Sequence, residues 1–279
     1  MAAGGTEPSA NLLWMPRKRH SLWISTARSL RTPSLFDIAA DGPFDIYPAS
    51  AATGGLPVLL TLRAAPAFTP EIVKDFEAGY RGQISKRLSA DLTVFYDLFT
   101  SIRSAVVGLP AVAFSPAPHI EVTETTGNGA EATGKGAEAS IAWQAFPAWK
   151  LEGSYTYNIV DPVISASAPP GSAFGNFKEP SRNKWRLQSY VNLSKAWKLD
   201  TFLYFTSAAS PTYIYGPEIP VPAYTRLDIR LGYKAGRNWQ ISLAGQNLLQ
   251  ARHLEAVAEL LSAQSYVNRE IYLKSTWKF

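Results

Sequence analysis

The sequence predicts an all-β fold, an antiparallel transmembrane β-barrel of about eleven strands, and three observations carry that reading. Apolar and polar residues alternate with a period of two in successive segments, so each segment has one apolar and one polar face. The connections between segments alternate between short and long. Tryptophans stand beside the short ones: Trp14, Trp149, Trp197 and Trp239. Short turns at one end, long loops at the other and aromatic residues at the lipid boundary are the layout of an outer-membrane barrel.

Composition fits and excludes. The 279 residues are 46% hydrophobic, 18% charged and 12% aromatic, with eight Trp and thirteen Tyr. A helical membrane protein is excluded, because the long uncharged stretches, such as 104–120, carry prolines and glycines and fall short of the roughly 20 apolar residues a spanning helix needs. Cysteine is absent, which removes disulfides and thiolate metal sites. The net charge of +5 suits anionic ligands or lipid headgroups, and equally a basic surface for solubility.

Taken in order, residues 12–15 form a short first strand, and 21–29 follow after Pro16-Arg17-Lys18-Arg19-His20. Residues 71–84 and 88–107 flank a polar turn, with Ala90, Leu92, Val94 and Tyr96 opposed to Ser89, Asp91, Thr93 and Asp97. Residues 119–144 and 149–160 flank Ala145-Phe146-Pro147-Ala148; Leu151, Tyr155 and Tyr157 oppose Lys150, Glu152, Ser154, Thr156 and Asn158. Trp185, Leu187, Val191 and Leu193 then alternate with Arg186, Gln188, Tyr190 and Asn192. Across Ser194-Lys195-Ala196, Trp197, Leu199, Leu203 and Phe205 alternate with Lys198, Asp200 and Tyr204. Leu227, Ile229, Leu231 and Tyr233 oppose Arg226, Asp228 and Arg230; Trp239, Ile241 and Leu243 oppose Gln240, Ser242 and Gln246. The last strand places Ile271, Leu273, Trp277 and Phe279 on one face and Tyr272, Lys274, Thr276 and Lys278 on the other.

Short links are expected near 16–20, 85–87, 145–148, 194–196 and 235–238. Long ones, rich in Pro, Gly, Ser and Ala, are expected near 30–70, 108–118, 161–181, 209–222 and 249–264. Residues 254–261, Leu-Glu-Ala-Val-Ala-Glu-Leu-Leu, are good helix formers and predict a short surface helix. A soluble β-sandwich explains the alternation equally well. The strand lengths, the one-sided loops and the aromatics beside the turns weigh against it.

Several motifs now become recognisable. Arg28-Ser29-Leu30-Arg31-Thr32-Pro33-Ser34 after a strand, Pro70-Glu71 with Glu77-Ala78-Gly79-Tyr80-Arg81, the pair Phe95-Tyr96, and Gly136-Ala137-Glu138 occur in one order. Tyr224-Thr225-Arg226-Leu227-Asp228, Gly245-Gln246-Asn247-Leu248-Leu249 and the terminal Phe279 continue it. Together they resemble the barrel of TonB-dependent outer-membrane receptors. The resemblance implies part, roughly the C-terminal half, of a plugged barrel of about 22 strands, with residues 1–279 as one partial barrel domain in the outer membrane of a Gram-negative bacterium. It further implies outer-membrane lipid and the barrel-assembly machinery as partners. A ferric siderophore or similar scarce nutrient, and TonB, would be partners only of a full-length form. Nothing resembles the family's signal peptide, TonB box or plug, so the chain reads as a piece of a longer frame. The alternative is a non-energised outer-membrane pore or structural barrel.

In a barrel the polar registers point into the wet lumen, where charge is tolerated. Asp91, Asp97, Glu152, Arg186, Lys198, Asp200, Arg226, Asp228 and Arg230 are placed there, and Arg186, Arg226, Asp228 and Arg230 are the lumen-facing candidates. Their expected role is structural. Tyr272, Trp277 and Phe279 form the candidate assembly signal, although Lys274 stands where that signal often has glycine. Arg28 and Arg31 are expected to fix the start of the first long loop. No catalytic, metal or cofactor residue is assigned: His20, His119 and His253 belong to no specific motif, and of the imaginable acid-base pairs, His119 with Glu121 and His253 with Glu255, a shared strand face supports the first alone. Gly127-Asn128-Gly129 and Gly134-Lys135-Gly136 lack the helix a phosphate site requires and are expected to mark bulges or bends. Basic residues are dispersed or at turns, which argues against nucleic acid as a partner.

Overall fold

A computed structural model describes residues 5–65, 67–174, 177–212, 220–256 and 264–279. Eleven long strands form one antiparallel sheet in chain order: β1 (Ser9–Arg17), β2 (His20–Arg31), β3 (Glu71–Ser85), β4 (Leu88–Val107), β5 (His119–Phe146), β6 (Trp149–Ile164), β7 (Asn183–Asn192), β8 (Trp197–Thr206), β9 (Tyr224–Ala235), β10 (Trp239–Gln246) and β11 (Glu270–Trp277). All eleven segments read from periodicity are present. The first is longer than expected because Ser9, Ala10 and Asn11 continue the pairing, opposite Ala27, Thr26 and Ser25. β1 and β11 each have a neighbour on one side only, so the described sheet is open.

Register carries the two chemistries across the sheet. Trp149, Val191, Leu199, Leu231, Leu243 and Leu273 lie opposite one another in a row through six strands. On the other face Lys150, Tyr190, Asp200, Arg230, Ala244 and Tyr272 form the neighbouring row. A slip of one residue would exchange the faces. The apolar face has no layer packed against it: Leu22, Ile24, Leu92, Val94, Leu187, Leu243, Ile271 and Leu273 are all exposed.

The packed core lies elsewhere, at the long-loop end. β4 and β5, of 20 and 28 residues, outrun their neighbours, and loop segments occupy the edges thus vacated. β6 ends opposite Ala130, and Val58–Arg63 takes the free edge of β5 beyond it, in parallel, from Val58 opposite Ile120 to Arg63 opposite Thr125. β3 starts at Glu71, with Ile72 opposite Thr100, and Ser172–Phe174 takes the free edge of β4 beyond that point. Leu60, Leu62, Ala105, Val122, Ala130 and Ala132 are buried there.

Thus the long connections, expected to be loops apart from a short helix at 254–261, contain short strands. Asp41–Tyr47 pairs with Val58–Arg63, Ala111–Ala113 with β5, Phe177–Glu179 with Ser210–Thr212, and Arg252–Ala256 with Ser265–Asn268. The expected helix at 254–261 is corrected at its start, since Leu254 and Ala256 pair opposite Tyr266 and Ser265; pairing outweighs helix propensity there. Its remainder lies outside the described residues. A helix does form unexpectedly, α1 (Leu35–Ala39), beside the first loop's start.

The glycine runs differ. Gly127-Asn128-Gly129 lies at a bulge: the β4 register shifts on both sides of Ile102, Ser101 has φ 58°, and the Asn128 amide donates to the Ser101 carbonyl (2.7 Å). Gly134 and Gly136 are regularly paired opposite Asp97 and Phe95, which corrects the expected bend. Their lack of a side chain makes room instead, because a Cβ at Gly136 would meet the Phe95 ring at 2.5 Å.

Candidate functional site: the polar face and the base of the long loops

The alternation that exposes leucines on one face puts charge on the other. Arg186, Arg226, Asp228 and Arg230 stand on that polar face in the expected registers, opposite Tyr204 (Arg186, Arg226), Phe202 and Asp200. Three of the four are engaged. Arg226 forms a forked pair with Asp228, Nε to Oδ1 at 2.9 Å and Nη2 to Oδ2 at 2.7 Å, and lies 5.8 Å over the Tyr204 ring. Arg230 Nη1 donates to Asp200 Oδ2 at 2.7 Å. Arg186 is exposed and has no ion pair among the described residues. On β3 and β4, Arg81 pairs with Asp91, while Asp97 lies opposite Asp75.

One of these carboxylates explains a motif. Asp228 Oδ1 accepts the backbone N–H of Asn247 at 2.9 Å, and Leu248 N–H reaches the Leu227 carbonyl at 2.9 Å. Asn247 is wholly buried with φ 52°, a left-handed conformation that Asn tolerates. Its amide donates to the Val267 carbonyl at 2.9 Å, and its Oδ1 accepts from His253 Nδ1 at 3.2 Å. Gly245 completes the turn, since a Cβ there would approach Leu248 Cδ2 to 2.8 Å. The Arg226–Asp228 and Gly245–Leu248 segments are therefore two halves of one buried lock that ends β10 and starts the last long loop.

A second lock starts the first long loop. Ser34 caps α1 in a capping box: Asp37 N–H reaches Ser34 Oγ (3.3 Å), and Asp37 Oδ2 accepts from Ser34 N (2.9 Å) and Oγ (2.7 Å). Asp37 is 1% exposed, with Arg31 and Arg103 at 3.7 and 3.5 Å. Arg31 also forks onto Glu71, both bonds at 2.6 Å, and Glu71 accepts the Arg103 N–H at 2.9 Å. Burial works to raise the Asp37 carboxyl, but the Ser34 hydroxyl and N–H with Arg103 and Arg31 overcome it and hold it below the usual carboxylate range. Burial pushes Glu124 up, with Arg103 opposing. So Arg31 does fix the loop start, whereas Arg28 reaches back to the Thr6 carbonyl ahead of β1. Asp37, Arg103 and Glu124 escaped sequence reasoning; Ser34 three residues before Asp37 was the available signal.

The histidines are used structurally. His119 is buried and its Nδ1–H donates to the Ala117 carbonyl at 2.7 Å, while Glu121 accepts from Thr61 Oγ1 at 3.1 Å. His253 stacks on Tyr224 at 4.0 Å, and burial lowers its pKa although Glu255 opposes this. His20 Nδ1 meets the Tyr80 hydroxyl at 2.7 Å. No hydrogen bond or ion pair among the described residues joins either imagined acid-base pair.

Aromatic side chains collect on the apolar face beside the short turns. Phe146 stacks on Trp149 (6.1 Å), and Trp197 meets Tyr233 (4.6 Å) and Trp239 meets Trp277 (6.1 Å) at a tilt, with Trp14 and Trp143 exposed alongside. Trp149 and Trp239 each donate from Nε1 to a serine, Ser189 and Ser275, at 2.9 and 2.7 Å. From Trp149 to Tyr157 the apolar face of β6 rises ~20 Å, taking ~3.3 Å per residue and a tilt of ~40°, close to the ~25 Å apolar band of an outer-membrane barrel. Above it on the same face come Lys135 and Asp161, paired at 3.0 Å. Of the expected assembly-signal residues, Tyr272 is on the polar face with Gln246 Nε2 at 3.4 Å, Trp277 is on the apolar face, and Phe279 is fully exposed beyond β11.

An unpacked apolar face with an aromatic rim, backed by a charged face, defines an outer-membrane-type β-barrel sheet. The family model described as TonB dependent receptor-like, beta-barrel, matches residues 2–248, and the chain belongs to that family. Solved structures agree on the fold. The siderophore receptor PirA from Acinetobacter baumannii is 15% identical with TM-score 0.70, over 98% of this chain and 41% of that one. A mutant of the ferric enterobactin receptor PfeA from Pseudomonas aeruginosa is 16% identical with TM-score 0.69, over 98% and 40%. The ferric-catecholate import receptor Fiu from E. coli is 18% identical with TM-score 0.66, over 97% and 34%. The chain thus spans about two fifths of the length of PirA and PfeA. A search of curated proteins found no match.

Proposed function

We propose that the chain supplies the C-terminal barrel portion of a TonB-dependent receptor in the outer membrane of a Gram-negative bacterium, with residues 1–279 as one partial barrel domain. The whole receptor would import a ferric siderophore or a similarly scarce nutrient, with energy delivered through TonB. The observation that carries this reading is the family match over residues 2–248 on a sheet whose unpacked apolar face suits lipid. The siderophore and ferric-catecholate receptors among the structural neighbours support the ligand class.

In this reading Arg186, Arg226, Asp228 and Arg230 line the barrel interior, and the two buried locks set where the ligand-meeting loops leave the wall. Tyr272, Trp277 and Phe279 are read by the assembly machinery. The chain works as receptor wall and not as an enzyme. In a receptor-deleted strain these 279 residues are expected to restore no ferric-siderophore uptake. Grafted in frame behind the N-terminal portion of a full-length family member, they are expected to reach the outer membrane and to restore surface binding of labelled ferric siderophore. Uptake by the 279 residues alone, or a graft that never inserts, would overturn the proposal.

A further inference from the structure

The charges of this chain are divided between the two ends of the sheet. Ten of its 27 Lys and Arg residues, and none of its 22 Asp and Glu, lie in or within two residues of the five short turns. They are Arg17, Lys18 and Arg19; Lys86 and Arg87; Lys150; Lys195 and Lys198; Lys234 and Arg237. Lys278, just past β11, adds one more at the same end. The rest of the chain is net acidic, so the overall positive charge comes from this end.

All ten are exposed. Only Lys150 has an acidic partner among the described residues, Glu152 at 2.5 Å. Elsewhere the chain does pair its cations: Arg31, Arg81, Arg103, Lys135, Arg226 and Arg230 all meet carboxylates. Lys150, Lys198 and Lys234 directly follow Trp149, Trp197 and Tyr233 and stand on the polar face, and the Arg87 carbonyl accepts from the N–H of Gln144, next to Trp143. Arg17, Lys18, Arg19, Lys195 and Arg237 stand two to five residues along the chain from Trp14, Trp197 and Trp239 on the apolar face. At ~3.3 Å per residue that is ~7–16 Å. If the aromatic rim marks the lipid boundary, these cations stand at the depth of the phosphate groups.

We propose that this collar binds the anionic phospholipid headgroups of the leaflet on the short-turn side, gathering phosphatidylglycerol-like lipids around the barrel. The inference rests on the membrane-barrel reading above. Clustered Lys and Arg beside a membrane-embedded surface attract anionic lipid, each cation adding to the attraction and salt weakening it.

The test uses the full 279-residue chain in neutral detergent micelles, titrated with brominated phosphatidylglycerol or brominated phosphatidylcholine. Bromine quenches tryptophan, and Trp14, Trp143, Trp149, Trp197, Trp239 and Trp277, six of the eight tryptophans, lie on the apolar face near the collar. Half-quenching is expected at about tenfold less phosphatidylglycerol than phosphatidylcholine, a gap that narrows in high salt. A K18Q/R19Q/K86Q/R87Q/K195Q/R237Q variant is expected to lose the preference. A control with Arg63, Lys74, Lys135, Lys184, Arg252 and Arg269 changed to Gln is expected to keep it, although its net charge falls equally. Equal quenching of wild type by both lipids, or loss of preference in the control, would overturn the collar. Quenching by neither would overturn the membrane reading instead. Should the sixfold variant fail to give a β-sheet circular dichroism spectrum, K18Q/R19Q and K86Q/R87Q are read separately, each expected to narrow the preference in part; an unchanged preference in both would overturn the collar.

Discussion

At the scale of single residues, the chain concentrates its buried polar groups where loops leave the sheet. Asp37 and Asn247 are 1% and 0% exposed, and each satisfies several backbone or side-chain groups at the base of a long loop. Replacing Asp37 by Ala leaves the Ser34 hydroxyl and N–H without their acceptor and removes the carboxylate that faces Arg103, and is expected to cost about 2–3 kcal/mol of loop stability. The pH dependence has a defined sign. Asp37 titrates lower folded than unfolded, so its contribution is complete above the unfolded carboxylate value of about 4 and is lost as pH falls through the lower folded value. Glu124, held high by burial, acts oppositely: it favours the folded state in acid, and that contribution is lost as pH rises through its folded value. Limited proteolysis within residues 41–65 should show the difference. Cleavage is expected to be faster in Asp37→Ala than in wild type at neutral pH, with the gap closing in acid. Equal rates at neutral pH would show that the capping box does not hold the loop.

At the scale of elements, periodicity was legible and tertiary pairing was not. Every long strand announced itself by alternation, because the sheet separates two environments along its entire face and each residue must choose one. The strand Val58–Arg63 did not, since its role depends on β5 outrunning β6, a length difference visible only when both are placed side by side. The same holds for Ser172–Phe174 beside β4. At the candidate site, Arg226, Asp228 and Arg230 were legible by register and Asn247 by motif. The partnership of Asp228 with Asn247 was not legible, because 19 residues and a turn separate them. The facing argument predicts an asymmetry within β7. Leu187→Arg puts a charge on the apolar face and is expected to cost about 2–4 kcal/mol in lipid, whereas Gln188→Arg, one residue away on the polar face and opposite Glu152, is expected to cost far less. Urea titration of both variants refolded in phosphatidylcholine vesicles measures it. Equal costs would contradict the assignment of faces.

At the scale of the whole molecule, most of the buried apolar residues described lie at the long-loop end, while in the membrane-height band the large apolar side chains of one face remain uncovered. Such an arrangement is stable only if something apolar covers that face, since exposed apolar patches of this extent are unusual in soluble monomers. Lipid is the cover that the aromatic rim, the family and the ~20 Å apolar height of β6 all fit. Because the chain has no native cysteine, single cysteines carrying a nitroxide can be placed without background at residues 185–190 of β7, none of them buried, after reconstitution in vesicles, and scored for collision with oxygen and with a water-soluble nickel chelate. The account predicts a period of two: high oxygen and low nickel access at Trp185, Leu187 and Ser189, with the reverse at Arg186, Gln188 and Tyr190. Nickel access at both sets alike, or shielding of the odd positions from both reagents, would contradict a lipid-facing sheet.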